Sequence, residues 1–136
     1  MHDVVLLGKA LSDPTRVRII YALMHSDLCV CEMVDCLELG QSTLSNHLQT
    51  IRQAGIVTTT RRHKMVSYEL LPESKDMIRT ILKGSEDSLN CDKRVQRDLQ
   101  RLADRLTLRK DGICNLGPGQ LDKPNPIKDF ITNKSL

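Results

Sequence analysis

Apolar side chains recur at three- and four-residue intervals through much of the chain, the spacing that places them on one face of a helix. Asp13-Pro14 reads as a helix cap followed by a proline suited to the first helical position, and Val17, Ile19, Ile20, Leu23 and Met24 continue the helix. A short helix is predicted from Ser26 or Asp27 through Met33, Val34 and Leu37, with Gly40 as the cap or turn glycine after it. In the next helix Leu44, Leu48 and Ile51 form one narrow stripe, while the opposite face displays Gln41, Ser42, Ser45, Asn46 and Gln49. Gly55 ends that helix.

The period then shortens. Ile56-Val57-Thr58-Thr59-Thr60 is rich in β-branched residues and predicts a strand. Arg61-Arg62-His63-Lys64 reads as a polar turn, and Met65 to Leu70 alternates as a returning strand. Pro72 opens a helix with Met77, Ile78, Ile81 and Leu82 on one face, and the polar stretch 85–92 breaks it. Val95, Leu99, Leu102 and Leu106 then repeat as the seam of a helix that packs on a partner. From Asp111 onward Gly112, Gly117, Pro118, Gly119, Pro124 and Pro126 predict a flexible tail. The expected architecture is mainly α with a small β-hairpin: one domain over 1–110 and a tail over 111–136.

Composition narrows the function classes. The chain has 136 residues, 40% of them hydrophobic and 27% charged, as expected of one soluble globular domain. Its longest apolar runs, such as Val4-Val5-Leu6-Leu7, fall far short of the ~18 residues of a spanning helix. No basic stretch precedes that run, so no secretory signal and no membrane partner are expected. There is no Trp and a single Phe, which leaves no stacking platform for single-stranded nucleic acid. Charge is unevenly placed. Residues 1–39 set Lys9, Arg16 and Arg18 against six carboxylates, whereas 40–70 set Arg52, Arg61, Arg62 and Lys64 against Glu69 alone. A basic segment beside an acidic one can be a phosphate-contacting surface or an ordinary solvated face.

Two short helices joined at a glycine, the second with a face of small polar residues, fit a helix-turn-helix. Small side chains let the backbone approach base edges, Gln and Asn can pair bidentately with adenine, and Ser or Thr can reach phosphate or base. The helix start at Gln41, Ser42 and Thr43 offers free N–H groups to phosphate, and Arg61, Arg62 and Lys64 on the following hairpin fit a wing on the adjacent backbone. The partner so expected is double-stranded DNA, read by Gln41, Ser42, Thr43, Ser45, Asn46 and Gln49. An amphipathic surface helix without a nucleic-acid role shows the same pattern.

The five cysteines, Cys29, Cys31, Cys36, Cys91 and Cys114, are odd in number and include no C-x-x-C. Free thiols or ligands for soft ions are expected rather than a disulfide framework. Cys29 and Cys31 form one C-x-C at a predicted helix start, where the helix dipole lowers thiol pKa and Asp27 and Glu32 oppose it. At about 100° per residue the two side chains diverge by about 200°, yet two sulfurs on one ion lie within about 4 Å. Ion binding is therefore expected to unwind or bend the helix start. Cys36 is either a third ligand or a buried apolar cysteine; Cys91 and Cys114 are a possible second thiol site, or either could supply a third sulfur.

Together, Ala10 to Arg16, Leu28-Cys29-Val30-Cys31-Glu32, Ser42 to Leu48, Ile51 to Val57 and Val66 to Leu70 resemble the ArsR/SmtB family of metal-responsive winged-helix repressors. The resemblance covers about residues 5–90. It implies a cytoplasmic homodimer, not an enzyme, that binds a palindromic operator and releases it when metal binds. The Leu-Cys-Val-Cys-Glu box is similar to that of the family's arsenite/antimonite and cadmium/lead branches, with Cys29 and Cys31 at the ligand positions. As(III) or Sb(III) is then an inducer and no permanent cofactor is implied. The chain departs from family patterns at Val34, where the arsenite branch often has a third cysteine, and at Asn46, where many relatives carry arginine. His47 matches a family position in the recognition helix, which implies either a structural or a DNA-facing role, and His63 replaces the wing glycine of many members, which leaves the geometry of that turn open. Cadmium or lead sensing, and thiol oxidation or persulfide sensing, are alternatives on the same scaffold. A thiol enzyme or metal carrier with no DNA role is the alternative outside it.

Overall fold

A computed structural model of the chain describes residues 2–121. Helix α1 (His2–Leu11) leads into α2 (Pro14–His25), which begins where Asp13 accepts hydrogen bonds from the N–H groups of Thr15 and Arg16 at 2.8 and 3.1 Å. A two-residue strand β1 (Leu28–Cys29) follows, then α3 (Val30–Leu37) and α4 (Gln41–Gln53). The hairpin is β2 (Val57–Arg62) and β3 (Met65–Leu70), and three helices close the described chain: α5 (Pro72–Lys83), α6 (Glu86–Cys91) and α7 (Lys93–Leu106). The antiparallel sheet has the order β1-β3-β2, with Cys29 opposite Ser67 and Arg62 opposite Met65. The core lies between α2, α3, α4 and the sheet, built from Ile19, Ile20, Leu23, Met33, Leu37, Leu44, Leu48, Ile51 and Leu70.

Several expectations change. The helix expected from Ser26 or Asp27 begins only at Val30, because Leu28 and Cys29 pair with Tyr68 and Ser67 in the sheet. Arg61 and Arg62 belong to β2, so the hairpin turn shrinks to His63 and Lys64. The left-handed residue between α3 and α4 is Glu38 (φ 55°), not Gly40 (φ −64°). A left-handed conformation costs a residue with a Cβ about 1–2 kcal/mol, and here Glu38 is held by Arg97, Arg94 and Arg101 reaching across from α7. The seam of α7 is satisfied within the chain: Val95 and Leu102 are buried, and the helix packs against α2 and α3.

The tail expected from 111 is not free where it is described. Asp35 accepts the backbone N–H of Gly119 (2.6 Å) and of Gln120 (3.2 Å), and Arg105 donates to the carbonyls of Leu116 and Gly117. These groups come from α3 and α7, so composition alone does not reveal them. Residues 122–136 lie outside the described residues.

Candidate nucleic-acid interface and thiol site

Helix α4 buries Leu44, Leu48 and Ile51 and leaves Gln41, Ser42, Thr43, Ser45, Asn46 and Gln49 exposed. Its N-cap is Gly40, and no side-chain cap bond is made there among the described residues. Six of the expected DNA-facing residues of α4 thus share open surface. His47 does not join them freely: it is half-buried, with Nδ1 3.3 Å from Arg16 Nη1, which ties α4 to α2. Arg61, Arg62 and Lys64 are exposed at the tip of the hairpin. The arrangement is a helix-turn-helix of α3 and α4 with a basic wing beside it.

The thiols gather on the other side of α3. Cys29 is the residue before α3, in an extended conformation (φ −81°, ψ 164°) and 3% exposed. Its N–H donates to Glu32 Oε1 at 3.0 Å, the reach-back of a capping box, a pattern readable as Cys29-x-x-Glu32. Because Cys29 stands outside the helix, the divergence of about 200° expected for two residues of one regular helix does not apply to Cys29 and Cys31. The Cys29 thiol instead donates to Cys114 Sγ at 2.7 Å, across 85 residues of sequence. Ligand atoms of Cys29, Cys114 and Glu32 all lie within 4.8 Å of one another. Cys31, half-buried in the first turn of α3, lies 3.7 Å from Met65 Sδ at the start of β3. Cys36 is fully buried in the core, away from this group, and Cys91 is exposed at the end of α6.

Two ion pairs frame the thiols. Glu32, fully buried, is gripped by Arg109 through Nε (2.7 Å) and Nη2 (2.8 Å). Asp35 pairs with the fully buried Arg105 at 2.8 Å, and Arg105 Nη2 reaches Cys114 Sγ at 3.9 Å. Arg105 Nη1 is buried and has no hydrogen-bond partner among the described residues. Sequence reasoning did not find these pairs, since α3 and α7 stand some 70 residues apart. Nor does the helix start lower the thiol pKa values as expected: burial raises Cys29, reinforced by Cys114, and raises Cys31. Burial also pushes Cys36 up to about 12. Burial opposes ionisation of Glu32 too, but the hydrogen bonds from Arg109 and the Cys29 N–H hold its carboxyl below the usual range.

A small cleft of about 30 Å³ opens beside Cys29 and Cys114 and is also lined by Arg62, Met65 and Ser67 of the wing. The thiol site and the wing therefore share a wall. The two sulfurs clustered here, of Cys29 and Cys114, are soft donors of the kind a thiophilic ion takes.

A family model described as bacterial regulatory protein, arsR family, matches residues 13–59, from the cap of α2 into β2. The arsenic resistance transcriptional regulator ArsR1 of Pseudomonas putida is 40% identical over 84 residues, 61% of this chain and 66% of that protein. A cadmium resistance regulatory protein, CadC homolog, of Staphylococcus aureus is 41% identical over 69 residues, 50% of this chain and 57% of that protein. The chain thus matches less than two thirds of the length of these curated relatives. Reduced HlyU from Vibrio cholerae superposes with a TM-score of 0.55 at 35% identity, over 66% of this chain and 90% of that one. With the helix-turn-helix, the wing and these likenesses in place, the chain belongs to the arsR family of bacterial regulatory proteins.

Proposed function

We propose that the chain is a metalloregulated transcriptional repressor that binds operator DNA as a homodimer in the cytoplasm and is released by trivalent arsenic or antimony held on cysteine thiolates. The observation that carries this reading is the position of the C-x-C: Cys29 and Cys31 flank the start of α3, and Cys31 touches Met65 of the wing. An ion drawing those sulfurs together acts on the supporting helix of the helix-turn-helix and on the wing at once. The open face of α4, with Gln41, Ser42, Thr43, Ser45, Asn46 and Gln49, supplies base and phosphate contacts, and Arg61, Arg62 and Lys64 supply backbone contacts. Exposed Val4 and Val5 on α1 and Met77 and Ile81 on α5 are apolar surface that a second copy can cover. The names of the relatives from Pseudomonas putida and Staphylococcus aureus support a response to a thiophilic element.

The test is a fluorescence-anisotropy titration on a duplex from the protein's own promoter, with and without arsenite. Wild-type protein should bind, lose affinity as salt rises, and release on arsenite. Cys29→Ser with Cys31→Ser should bind equally and no longer release; release by the double variant sinks the mechanism. Linkage adds a check, since operator must weaken arsenite binding by the factor with which arsenite weakens operator binding.

Cadmium is the second reading, favoured by the Glu32 carboxylate among the clustered ligand atoms. It is the weaker one, because Arg109 and the Cys29 N–H already occupy both oxygens of Glu32. Release by cadmium alone in the same titration selects it.

A further inference from the structure

We propose that Cys114, on the segment that follows α7, supplies the third thiol of the inducer site, so that one trivalent arsenic is held by Cys29, Cys31 and Cys114. This inference rests on the metalloregulation proposed above. Arsenous acid condenses with three thiols: three As–S bonds form, three As–O bonds break, and each thiol proton leaves with a hydroxyl as water. Arsenic stays trivalent throughout, so no oxidant or reductant enters.

The C-x-C alone offers two sulfurs, and the chain must find the third elsewhere. Cys36 is fully enclosed in the core, and Cys91 is exposed on α6 outside the cluster. Cys114 is already in place, 2.7 Å from Cys29 Sγ and 9% exposed. Sulfurs sharing one ion need only lie within about 4 Å of each other. Cys31 stands two residues from Cys29, but its sulfur rests on Met65 Sδ at 3.7 Å, outside the clustered ligand atoms, and must turn from Met65 to complete the set.

The segment carrying Cys114 is fastened rather than draped. Asp35 takes the N–H groups of Gly119 and Gln120, Arg105 takes the carbonyls of Leu116 and Gly117, and Arg109 locks Glu32 beneath. A second observation points to the same place. Arg105 is fully buried, reaches Cys114 Sγ with Nη2, and has no hydrogen-bond partner for Nη1 among the described residues. Leaving a guanidinium N–H unsatisfied in the interior is costly, and an electron-rich sulfur brought to this site is the kind of acceptor it lacks. Metalloid capture then ties the post-α7 segment to the first turn of α3, next to the wall shared with the wing.

Cys114→Ser in the full chain tests this, with Cys91→Ser as control and a phosphine reductant present so that a Cys29–Cys114 disulfide is not read as chelation. Two probes separate the sulfur counts: arsenite takes three thiols, whereas phenylarsine oxide, with one position filled by carbon, takes two. X-ray absorption should show three sulfurs on arsenic in wild type and in the Cys91 variant, and two sulfurs with one oxygen in Cys114→Ser. Arsenite affinity of Cys114→Ser should fall at least as far as the roughly 10–100-fold that outer-shell changes cost metal sites, with phenylarsine oxide affinity retained. Retained phenylarsine oxide binding also shows that the variant is folded; Cys114→Ala should behave alike. Three sulfurs and unchanged arsenite affinity in Cys114→Ser overturn the inference while leaving a Cys29/Cys31 sensor standing. A wild-type protein that binds neither probe overturns both.

Discussion

The thiol of Cys31 lies 3.7 Å from the sulfur of Met65, which joins the first turn of α3 to the first residue of β3. Met65 also faces Arg62 across the hairpin, beside the turn at the tip of the wing. Any ligand that re-aims the Cys31 sulfur must displace or release this neighbour. Coupling between two sites requires such an element that both bias.

Met65→Leu conserves volume and apolarity and removes the sulfur. The apo protein should bind the promoter duplex as wild type does. The factor by which arsenite lowers that affinity should shrink by about 0.5–2 kcal/mol, or roughly 2- to 30-fold. Anisotropy titrations with and without arsenite measure it, and an undiminished factor shows that the signal leaves the thiols by another route.

Arg105 and Asp35 form the buried pair on which the post-α7 segment depends. Arg105→Ala strands a carboxylate that is 3% exposed at its side chain and should cost about 3–5 kcal/mol of unfolding free energy, read by denaturant titration. Asp35→Asn keeps the size of the side chain and weakens its hold on Gly119 and Gln120. It should leave the core folded and speed tryptic cleavage after Arg109 and Lys110. Equal cleavage rates in Asp35→Asn and wild type contradict the anchoring role.

What was legible in the sequence is what neighbouring residues decide. Asp13 before Pro14 caps α2 as its side chain chemistry dictates. Leu44, Leu48 and Ile51 bury the stripe of α4 and leave the polar face open. The alternation from Met65 to Leu70 became β3. What was not legible depends on partners far along the chain. Leu28 and Cys29 carry no period of their own, and only pairing with Tyr68 and Ser67 makes them a strand and moves Cys29 off the helix. Gly112 through Gly119 look loose by composition, and the anchors that fix them are Asp35 and Arg105. His63 stands where many members of the family carry the wing glycine. It takes the left-handed conformation (φ 56°) and the turn stands.

Glu38 makes stability depend on pH. Hydrogen bonding from Arg97, with the charges of Arg101 and Arg94, holds its carboxyl at about 2, against an ordinary 4.5. The folded state therefore binds this proton less readily than the unfolded chain, and the pair's contribution is complete above about pH 4.5. It is lost as pH falls from there toward about 2. Because Arg97, which makes the hydrogen bond, is 56% exposed and Glu38 30%, the contribution is about 1 kcal/mol or less. Glu38→Gln should lower stability at neutral pH by that amount and flatten the acid limb of the stability curve. An unchanged acid limb removes Glu38 as its source.

The two wing arginines should separate DNA contact from induction. Successive strand residues point to opposite faces, and Arg62 lines the cleft beside Cys29 and Cys114 while Arg61, paired with Val66, does not. Arg61→Ala should remove a phosphate contact, weakening binding across all duplex sequences and reducing the salt slope by about one per protomer. Its response to arsenite should equal that of wild type. Arg62→Ala should change the arsenite concentration needed for half release, because it alters the wall of the thiol cleft. Operator affinity measured across a salt series, each with an arsenite titration, resolves the two. If both variants shift the salt slope and neither shifts the arsenite midpoint, Arg62 acts only on DNA and the shared wall carries no signal.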